Sequence, residues 1–381
     1  MAGKPVPTQA GPEPMILSID DVKQEADKNL SKTARDFYNA GATTQTTVHD
    51  NIAAFAKYRL LPRVLVDVSR ADPSTTVLGT RISFPCCIAP AGLQAMAHPS
   101  GELASSRAAA RRGIHMGVSS YANHSIEEIR AASAAVGPVA HAMQLYSMRD
   151  RALQERIVAR AEAAGCRAIL LTADSPVLGV RWSQTRNHFR TPAELGFPMM
   201  EVGDGMERVT KITHERMHGW LSDAHSWAEE IPWLRARTKM EIWVKGVLAP
   251  EDVVRAREWG CDGVVVSNHG GRQLDGTPAS IDALPACVKA AEGKIRVHVD
   301  GGIRSGADVF KALALGAECC WIGRPTVWGL AYNGESGVDK VLNILYDEFK
   351  HCMQLTGCST VADISKASLA IVRAEGPLAR L

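Results

Sequence analysis

From residue 84 onward one pattern recurs eight times: a short apolar run, a polar loop, then an amphipathic helix. The apolar runs fall at 84–90, 115–119, 142–146, 168–174, 242–246, 263–268, 297–300 and 319–323. The helices between them carry their own signals. Ser125-Ile126-Glu127-Glu128 has capping-box form, and Pro250-Glu251-Asp252 puts proline and acids in a first turn. Gly113, Gly165, Gly260 and Gly316 mark helix ends. Eight strand-then-helix units in series predict an α/β chain closed into a parallel (β/α)8 TIM barrel. An open doubly wound sheet also alternates strands and helices. The count of eight, and the lack of GxGxxG after the first run, favour closure.

Three helices are expected before the barrel. Ser18-Ile19-Asp20-Asp21 is a capping box followed by Val22, Ala26 and Leu30 at helical spacing. Ser31 opens a second helix through Phe37-Tyr38, stopped by Gly41. Thr47-Val48-His49-Asp50 opens a third, with Ile52, Phe55 and Leu60 on its apolar side. Residues 61–79 then read as a connection. The expected organisation is a flexible tail at 1–17 and one domain at 18–381, with helices and connection at 18–80 and the barrel at 81–381. One link inside the barrel is unusually long, 175–237, and contains Trp182, Trp220, Trp227, Trp233 and Phe197-Pro198-Met199-Met200. Long loops in compact domains serve as lids or binding loops, so this one is expected to pack over the site mouth. A helix over 339–355 should cover the barrel bottom or flank.

Bulk properties narrow the function. The net charge is +2 with no charged block, which gives nucleic acid nothing to bind. Nine cysteines show neither CxxC nor zinc spacing, and Cys86-Cys87 and Cys319-Cys320 lie in apolar runs. Buried thiols in a reducing compartment fit best, with no metal. No apolar run approaches the roughly 18 residues of a membrane span, and residues 1–14 have no apolar signal core. The chain ends Ala379-Arg380-Leu381, close to the Ser-Lys-Leu peroxisomal address. Without that address the expected location is cytoplasmic.

In such barrels the reactive groups gather at the C-terminal ends of the strands. The richest end is Ser267-Asn268-His269-Gly270-Gly271-Arg272-Gln273-Leu274-Asp275-Gly276. His269 can take a proton and Arg272 can hold a carboxylate, with two glycines between them. The plain alternative is a solvated surface turn. Tyr146, Asp174, Arg181 and Lys245 are expected on the same barrel face, where Asp174 can orient His269. Lys245 could stabilise negative charge on a cofactor or form a Schiff base. The last two strand ends, Asp300-Gly301-Gly302-Ile303-Arg304 and Ile322-Gly323-Arg324, are glycine-rich with one arginine each. Loops at these positions form the usual barrel phosphate site.

Taken together, Ser267 to Asp275, Met143-Gln144-Leu145-Tyr146, Leu171-Thr172-Ala173-Asp174, Val244-Lys245-Gly246-Val247 and the two glycine loops resemble the FMN-dependent 2-hydroxy acid oxidases of the glycolate oxidase family, over residues 17–381. The resemblance implies FMN across the barrel mouth, its phosphate on Gly302, Arg304, Gly323 and Arg324. Pro90, Ala91, Gly92, Ser119, Gln144, Thr172, Ser267 and Asp300 match further cofactor-binding positions. Lys245 matches the lysine beside flavin N1 and O2, which implies charge stabilisation. Arg181 and Arg272 would hold a small 2-hydroxy acid by its carboxylate, Tyr146 would contact its hydroxyl, and His269, held by Asp174, would be the base. Electrons would pass to flavin N5 and then to O2, giving H2O2. Family members are commonly homotetramers, so that assembly is expected here.

Three positions depart from the family. Phe37 replaces a tyrosine that helps hold the carboxylate, and Tyr38 should point elsewhere on the helix. Tyr121 replaces a tryptophan of the short-chain glycolate oxidases, leaving room for a longer or aromatic substrate. Gly92 stands where oxidases often have alanine, as in the dehydrogenase members. A 2-hydroxy acid dehydrogenase using a quinone or other acceptor is therefore the first alternative. An FMN-barrel isomerase and a non-catalytic flavin protein are more remote.

Overall fold

The computed structural model describes residues 15–201, 209–373 and 376–380. Eight strands pair in parallel and close on themselves. They are β1 (Cys86–Ile88), β2 (Met116–Val118), β3 (His141–Tyr146), β4 (Ala168–Thr172), β5 (Glu241–Val247), β6 (Gly263–Val266), β7 (Arg296–Asp300) and β8 (Cys319–Ile322). The last returns to the first, Ile322 pairing with Ile88 and Trp321 with Cys87. All eight predicted apolar runs form these strands, within a few residues at each end. Nearly every strand residue is buried, which is why the runs read as continuous rather than alternating. The inward side chains, among them Trp243, Leu170, Val265, Cys87 and Trp321, fill the barrel as a packed core.

The N-terminal helices are α1 (Ile19–Asn29), α2 (Lys32–Asn39) and α3 (Thr46–Ala53). Ser18 caps α1 with the expected box, and Ser31 caps α2 by accepting from the Ala34 N–H. The third helix differs from its expectation. It is entered through Gln45 in a left-handed conformation (φ 65°) and stops at Ala53. Ile52 on it is exposed, and Leu60 lies in a strand, Tyr58–Leu60, that pairs with Leu369–Arg373 near the C-terminus. The connection at 61–79 also hides a hairpin, Thr75–Val77 with Thr80–Ile82. Its Val77, Leu78 and Ile82 plug the bottom of the barrel core.

Around the barrel run α4 (Gly101–Arg112), α5 (Ile126–Ala134) and α6 (Arg151–Ala163). The long link then forms three short helices, α7 (Trp182–Arg186), α8 (His214–Trp220) and α9 (Trp227–Arg235). Its Phe197, Met199 and Met200 are buried, so this apolar stretch belongs to the core and not to a surface for lipid. The ring closes with α10 (Pro250–Glu258), α11 (Ser280–Ala291), α12 (Gly306–Ala314) and α13 (Arg324–Thr356). The expected 339–355 helix is the second part of α13, which breaks at Asn333 and Gly334 and packs beside α1, α4 and α12. Of the tail expected at 1–17, residues 1–14 lie outside the described part, while Ile16 is buried. Leu381 also lies outside it.

Candidate active site

One large cavity opens at the C-terminal ends of the strands, with about 1200 Å3 of atom-free space counted out to its mouth. The expected site residues line it from all sides, except Ser267 and Asp174, which stand behind it, bonded to Lys245 and His269. The long link contributes Leu178, Arg181 and Met217, and α2 contributes Phe37 and Tyr38.

The candidate base, His269, stands on the loop after β6. His269 Nδ1 lies 2.9 Å from Asp174 Oδ1 at the end of β4. The geometry is held from several directions. His269 sits at a left-handed φ of 57°, unusual for a residue with a Cβ, followed by Gly270 and Gly271 at positive φ. Its own N–H donates to Ser267 Oγ at 3.0 Å. Asn268 locks the same turn by accepting from the Gly271 N–H at 3.0 Å and exchanging two 2.8 Å hydrogen bonds with Asn51 of α3. Gln273 donates to the Asp174 and Val177 carbonyls, both at 2.9 Å. Gly246 has φ 105°, and a Cβ there would stand 2.6 Å from the Asp174 side chain. No other residue fits under that carboxylate.

Electrostatics follow from this packing. Burial, then the Lys245 and Arg181 charges, pull His269 below its ordinary value against the attraction of Asp174. The ring is therefore neutral at neutral pH and able to accept a proton. Burial pushes the Asp174 carboxyl up, but His269, Lys245 and Ser175 outweigh it and keep it ionised. Lys245 is 6% exposed and donates to Ser267 Oγ at 3.1 Å. Its Nζ lies 3.2 Å from Asp300 Oδ2. Burial alone would lower it, but Asp300 and Asp174 raise it, so it stays a cation. That charge state is unsuited to a Schiff base, which needs a neutral amine.

Four arginines face the same space. Burial lowers Arg324 to about 9, with further repulsion from Arg304 and Arg181. Burial takes Arg181 and Arg304 to about 10. Arg272 falls well below its ordinary value through burial and then Arg181 and Arg324. Two of them are seated on one helix end. Arg272 Nη1 donates to the carbonyls of Phe37 (2.6 Å) and Ala40 (3.1 Å). Arg324 donates to Tyr38 O through Nε (2.9 Å) and to Ala40 O through Nη2 (3.2 Å). These are the carbonyls that the last turn of α2 leaves unpaired, at its negative end. Mutually repelling buried cations call for anions.

The two phosphate-loop helices are not alike. At α12 the end is already closed: Asp308 accepts from the Arg304 and Ser305 N–H groups at 3.0 Å, and Ser305 completes the box. At α13 the cap is Gly323, with no side-chain cap and no acid in the first turn. An uncapped helix end among arginines is an anion seat. Gly302 is glycine for another reason, since a Cβ there would lie 1.8 Å from the Asn51 carbonyl oxygen. Asp300 Oδ1 is buried and lacks a protein partner. An open helix end, the cations and this orphaned acceptor together fit a phosphate-bearing cofactor with polar edges. Gln144 adds to that edge, donating to Thr172 Oγ1 at 3.0 Å and accepting from the Ser120 N–H at 3.0 Å, with Ser119 Oγ at 3.5 Å. Pro90, Ala91 and Gly92 line the cavity beside them.

The opposite wall is aromatic. Phe37 stacks on Phe189 at 4.7 Å between centroids, with the Arg272 guanidinium 5.0 Å from its ring. Tyr38, expected to point elsewhere, also borders the cavity, but its hydroxyl is spent on the Leu93 carbonyl at 2.5 Å. Tyr121 lies 5.8 Å from Trp220 and 5.5 Å from Tyr146. Its buried hydroxyl has no protein partner. Burial raises both tyrosines, so both hydroxyls are protonated donors. A methyl on Gly92 would meet Ser119 Oγ and Tyr121 Cβ at 3.1 Å, so the room it vacates is taken up by the neighbouring loop. Sequence reasoning missed Asn51, Asn268 and Gln273 as supports. Asn268 and Gln273 flank the base within its own motif, whereas Asn51 gave no local signal.

The sequence profile of the FMN-dependent dehydrogenase family matches residues 26–371. Oxidase FUB9 of Fusarium oxysporum f. sp. lycopersici is 42% identical over 371 residues, covering 96% of this chain and 94% of that protein. 2-Hydroxyacid oxidase 1 of Mus musculus is 45% identical over 93% of this chain and 96% of its own length. A structure of mandelate oxidase with (S)-4-hydroxymandelic acid superposes with a TM-score of 0.85 at 36% identity, covering 93% of this chain and 98% of that one. With the family profile spanning the whole barrel and relatives 42% and 45% identical over nearly the full chain, the chain belongs to the FMN-dependent dehydrogenase family.

Proposed function

We propose that the chain oxidises a small (S)-2-hydroxy acid to the 2-oxo acid, with O2 as final electron acceptor and H2O2 as product. The observation that carries this reading is one cavity holding both a neutral, carboxylate-held base and four arginines in need of anions. Bound FMN supplies the acceptor for the two electrons that leave the α-carbon. The α13 end with Gly323 and Arg324, together with Gly302 and Arg304, would hold its phosphate. Ser119, Gln144, Thr172, Ser267 and Asp300 would meet its polar edge, Pro90 to Gly92 would flank its ring, and Lys245 would keep a positive charge beside it.

The substrate carboxylate would lie between Arg181 and the Nε–Nη2 edge of Arg272, whose Nη1 hydrogens are already engaged. Tyr146 would donate to the substrate hydroxyl. His269 would take the proton, its Nδ1 held by Asp174, and Asp174 would stabilise the resulting imidazolium. Phe37, Leu178, Tyr121 and Met217 offer an apolar end, so the side chain is bulkier than that of glycolate. Structures of mandelate oxidase, which bind aromatic acids such as (S)-mandelic acid, lend support.

Gly92 favours a second reading, in which a quinone or other acceptor replaces O2. Stoichiometric H2O2 from substrate in air would support the oxidase, and dye reduction without H2O2 the dehydrogenase. The test of the first reading is anaerobic bleaching of the flavin by glycolate, lactate, longer 2-hydroxy acids and mandelate. Preference for glycolate over all others would sink the argument from Phe37 and Tyr121. The ending Ala379-Arg380-Leu381 supports a peroxisomal location, which suits a producer of H2O2. No helix among the described residues is long and apolar enough to cross a membrane. A homotetramer is the assembly that the family resemblance supports.

A further inference from the structure

Glu102, the second residue of α4, has a side chain with no exposure to solvent. An acid in a first turn is ordinary as a partner of the helix dipole. This one spends its oxygens elsewhere. Oε1 accepts from the backbone N–H of Gln94 and of Asn123, both at 3.2 Å. Oε2 lies 3.0 Å from His124 Nδ1. Gln94 belongs to the loop after β1, and Asn123 and His124 to the loop after β2. The two loops are thus tied to a single buried carboxylate.

The tie reaches the cavity. Gln94 is preceded by Leu93, a branched residue held at φ 63°. The Leu93 N–H donates to the Tyr121 carbonyl at 3.0 Å. Gln94 itself donates to the Ala91 carbonyl at 3.1 Å and accepts from Ser105 Oγ at 2.6 Å. Asn123 accepts from the Ala95 N–H and donates to the Gly196 carbonyl of the long link, both at 3.1 Å. Desolvating a carboxylate is costly unless its oxygens are taken, and barrel packing alone does not require a charge here.

We propose that Glu102 is a positioning residue: by pinning the loops after β1 and β2 together it fixes Ala91, Gly92 and Tyr121 against the cofactor edge of the cavity. This rests on the reading of the cavity as the FMN site. The carboxylate touches neither substrate nor cofactor and acts through Gln94, Leu93 and Asn123.

The test uses the full chain loaded with FMN and the variants Glu102→Ala and Glu102→Gln. Glu102→Ala should change the shape of the flavin absorption bands and slow flavin reduction by at least about tenfold, as small misplacements of reacting groups do. Affinity for short hydroxy acids should hold, because Arg181 and Arg272 are untouched, whereas acids with a bulky side chain should also bind more weakly as Tyr121 shifts. Glu102→Gln should restore the bands and most of the rate, since its amide oxygen can accept the same two backbone N–H groups. An unaltered spectrum and rate in Glu102→Ala overturns the proposal, as does equal damage from both substitutions or a loss of affinity in place of rate. Should Glu102→Ala not fold, Asn123→Ala must show the same spectral change in smaller degree, and native behaviour there overturns the proposal. Failure of the unaltered chain to quench FMN fluorescence would instead count against the site reading itself.

Discussion

Across the cavity, the wall of Asp174, Lys245, His269 and Arg272 and the wall of Phe37, Gly92 and Tyr121 are held by different forces. The first is a lattice of charge-assisted hydrogen bonds near 3 Å, with strained backbone at His269 and glycines that no other residue could replace. The side chains of the second meet through ring contacts at 4.7 to 5.8 Å on loops whose backbone Glu102 ties together, and the hydroxyl of its one buried phenol, Tyr121, has no protein hydrogen bond. In the first, moving one atom unbalances a buried charge. In the second, a side chain can change size while its neighbours repack, at far smaller cost. On the proposed reading, chemistry would sit on the rigid side and choice of substrate on the adjustable one.

That division can be broken most directly at His269. His269→Gln should keep FMN yet lose roughly 10²–10⁴ in the rate of flavin reduction. Near-native rates in anaerobic stopped flow would remove the base from the rigid wall. Asp174→Asn should cost about 10² in the same rate. It should also shift the pH profile. His269 is held below its ordinary value by burial, so the rate should rise with pH through a midpoint below that of a free imidazole. Without the carboxylate the imidazolium loses its main support, and the rising limb should move to still lower pH. A limb that moves upward would contradict the assigned pair.

Arg272→Lys should weaken substrate binding by about tenfold or more, because an ammonium cannot reproduce the two-pronged grip or the seat on α2. Unchanged affinity in anaerobic titrations would take Arg272 out of the clamp. The smallest effect belongs to the adjustable wall. Phe37→Tyr should strengthen the binding of short hydroxy acids by about tenfold at most, the worth of one added hydrogen bond. A loss as large as that of Arg272→Lys would show that the aromatic wall is not adjustable after all.

Much of this was legible in the sequence because barrel strands are buried on both faces and end in their reactive residues. Asp174 and Lys245 stand at the ends of apolar runs and His269 just after one, so their common face follows from the eightfold count. Burial alone does not make a histidine a base: His298 lies inside the same barrel, is driven to about 3 by burial, and only accepts from Trp321 Nε1. The supports were harder to read. Asn51 and Asn268 are 217 residues apart, and no spacing rule links them. The hairpin at 75–82 hid in a connection because its strands are only 3 residues each. The third helix was drawn too long because apolar residues continued past its end into a strand.

The last turn of α2 seats both Arg272, proposed for the substrate carboxylate, and Arg324, proposed for the cofactor phosphate. The barrel therefore does not own its active site. A chain begun at residue 81 would retain all eight strands and every charged group at their ends. It would lose the carbonyls that aim two of its four guanidiniums, and with them the register between substrate and cofactor. On the proposed reading the N-terminal helices are better regarded as a gauge than as a decoration: they would set the distance between the two anions held at once.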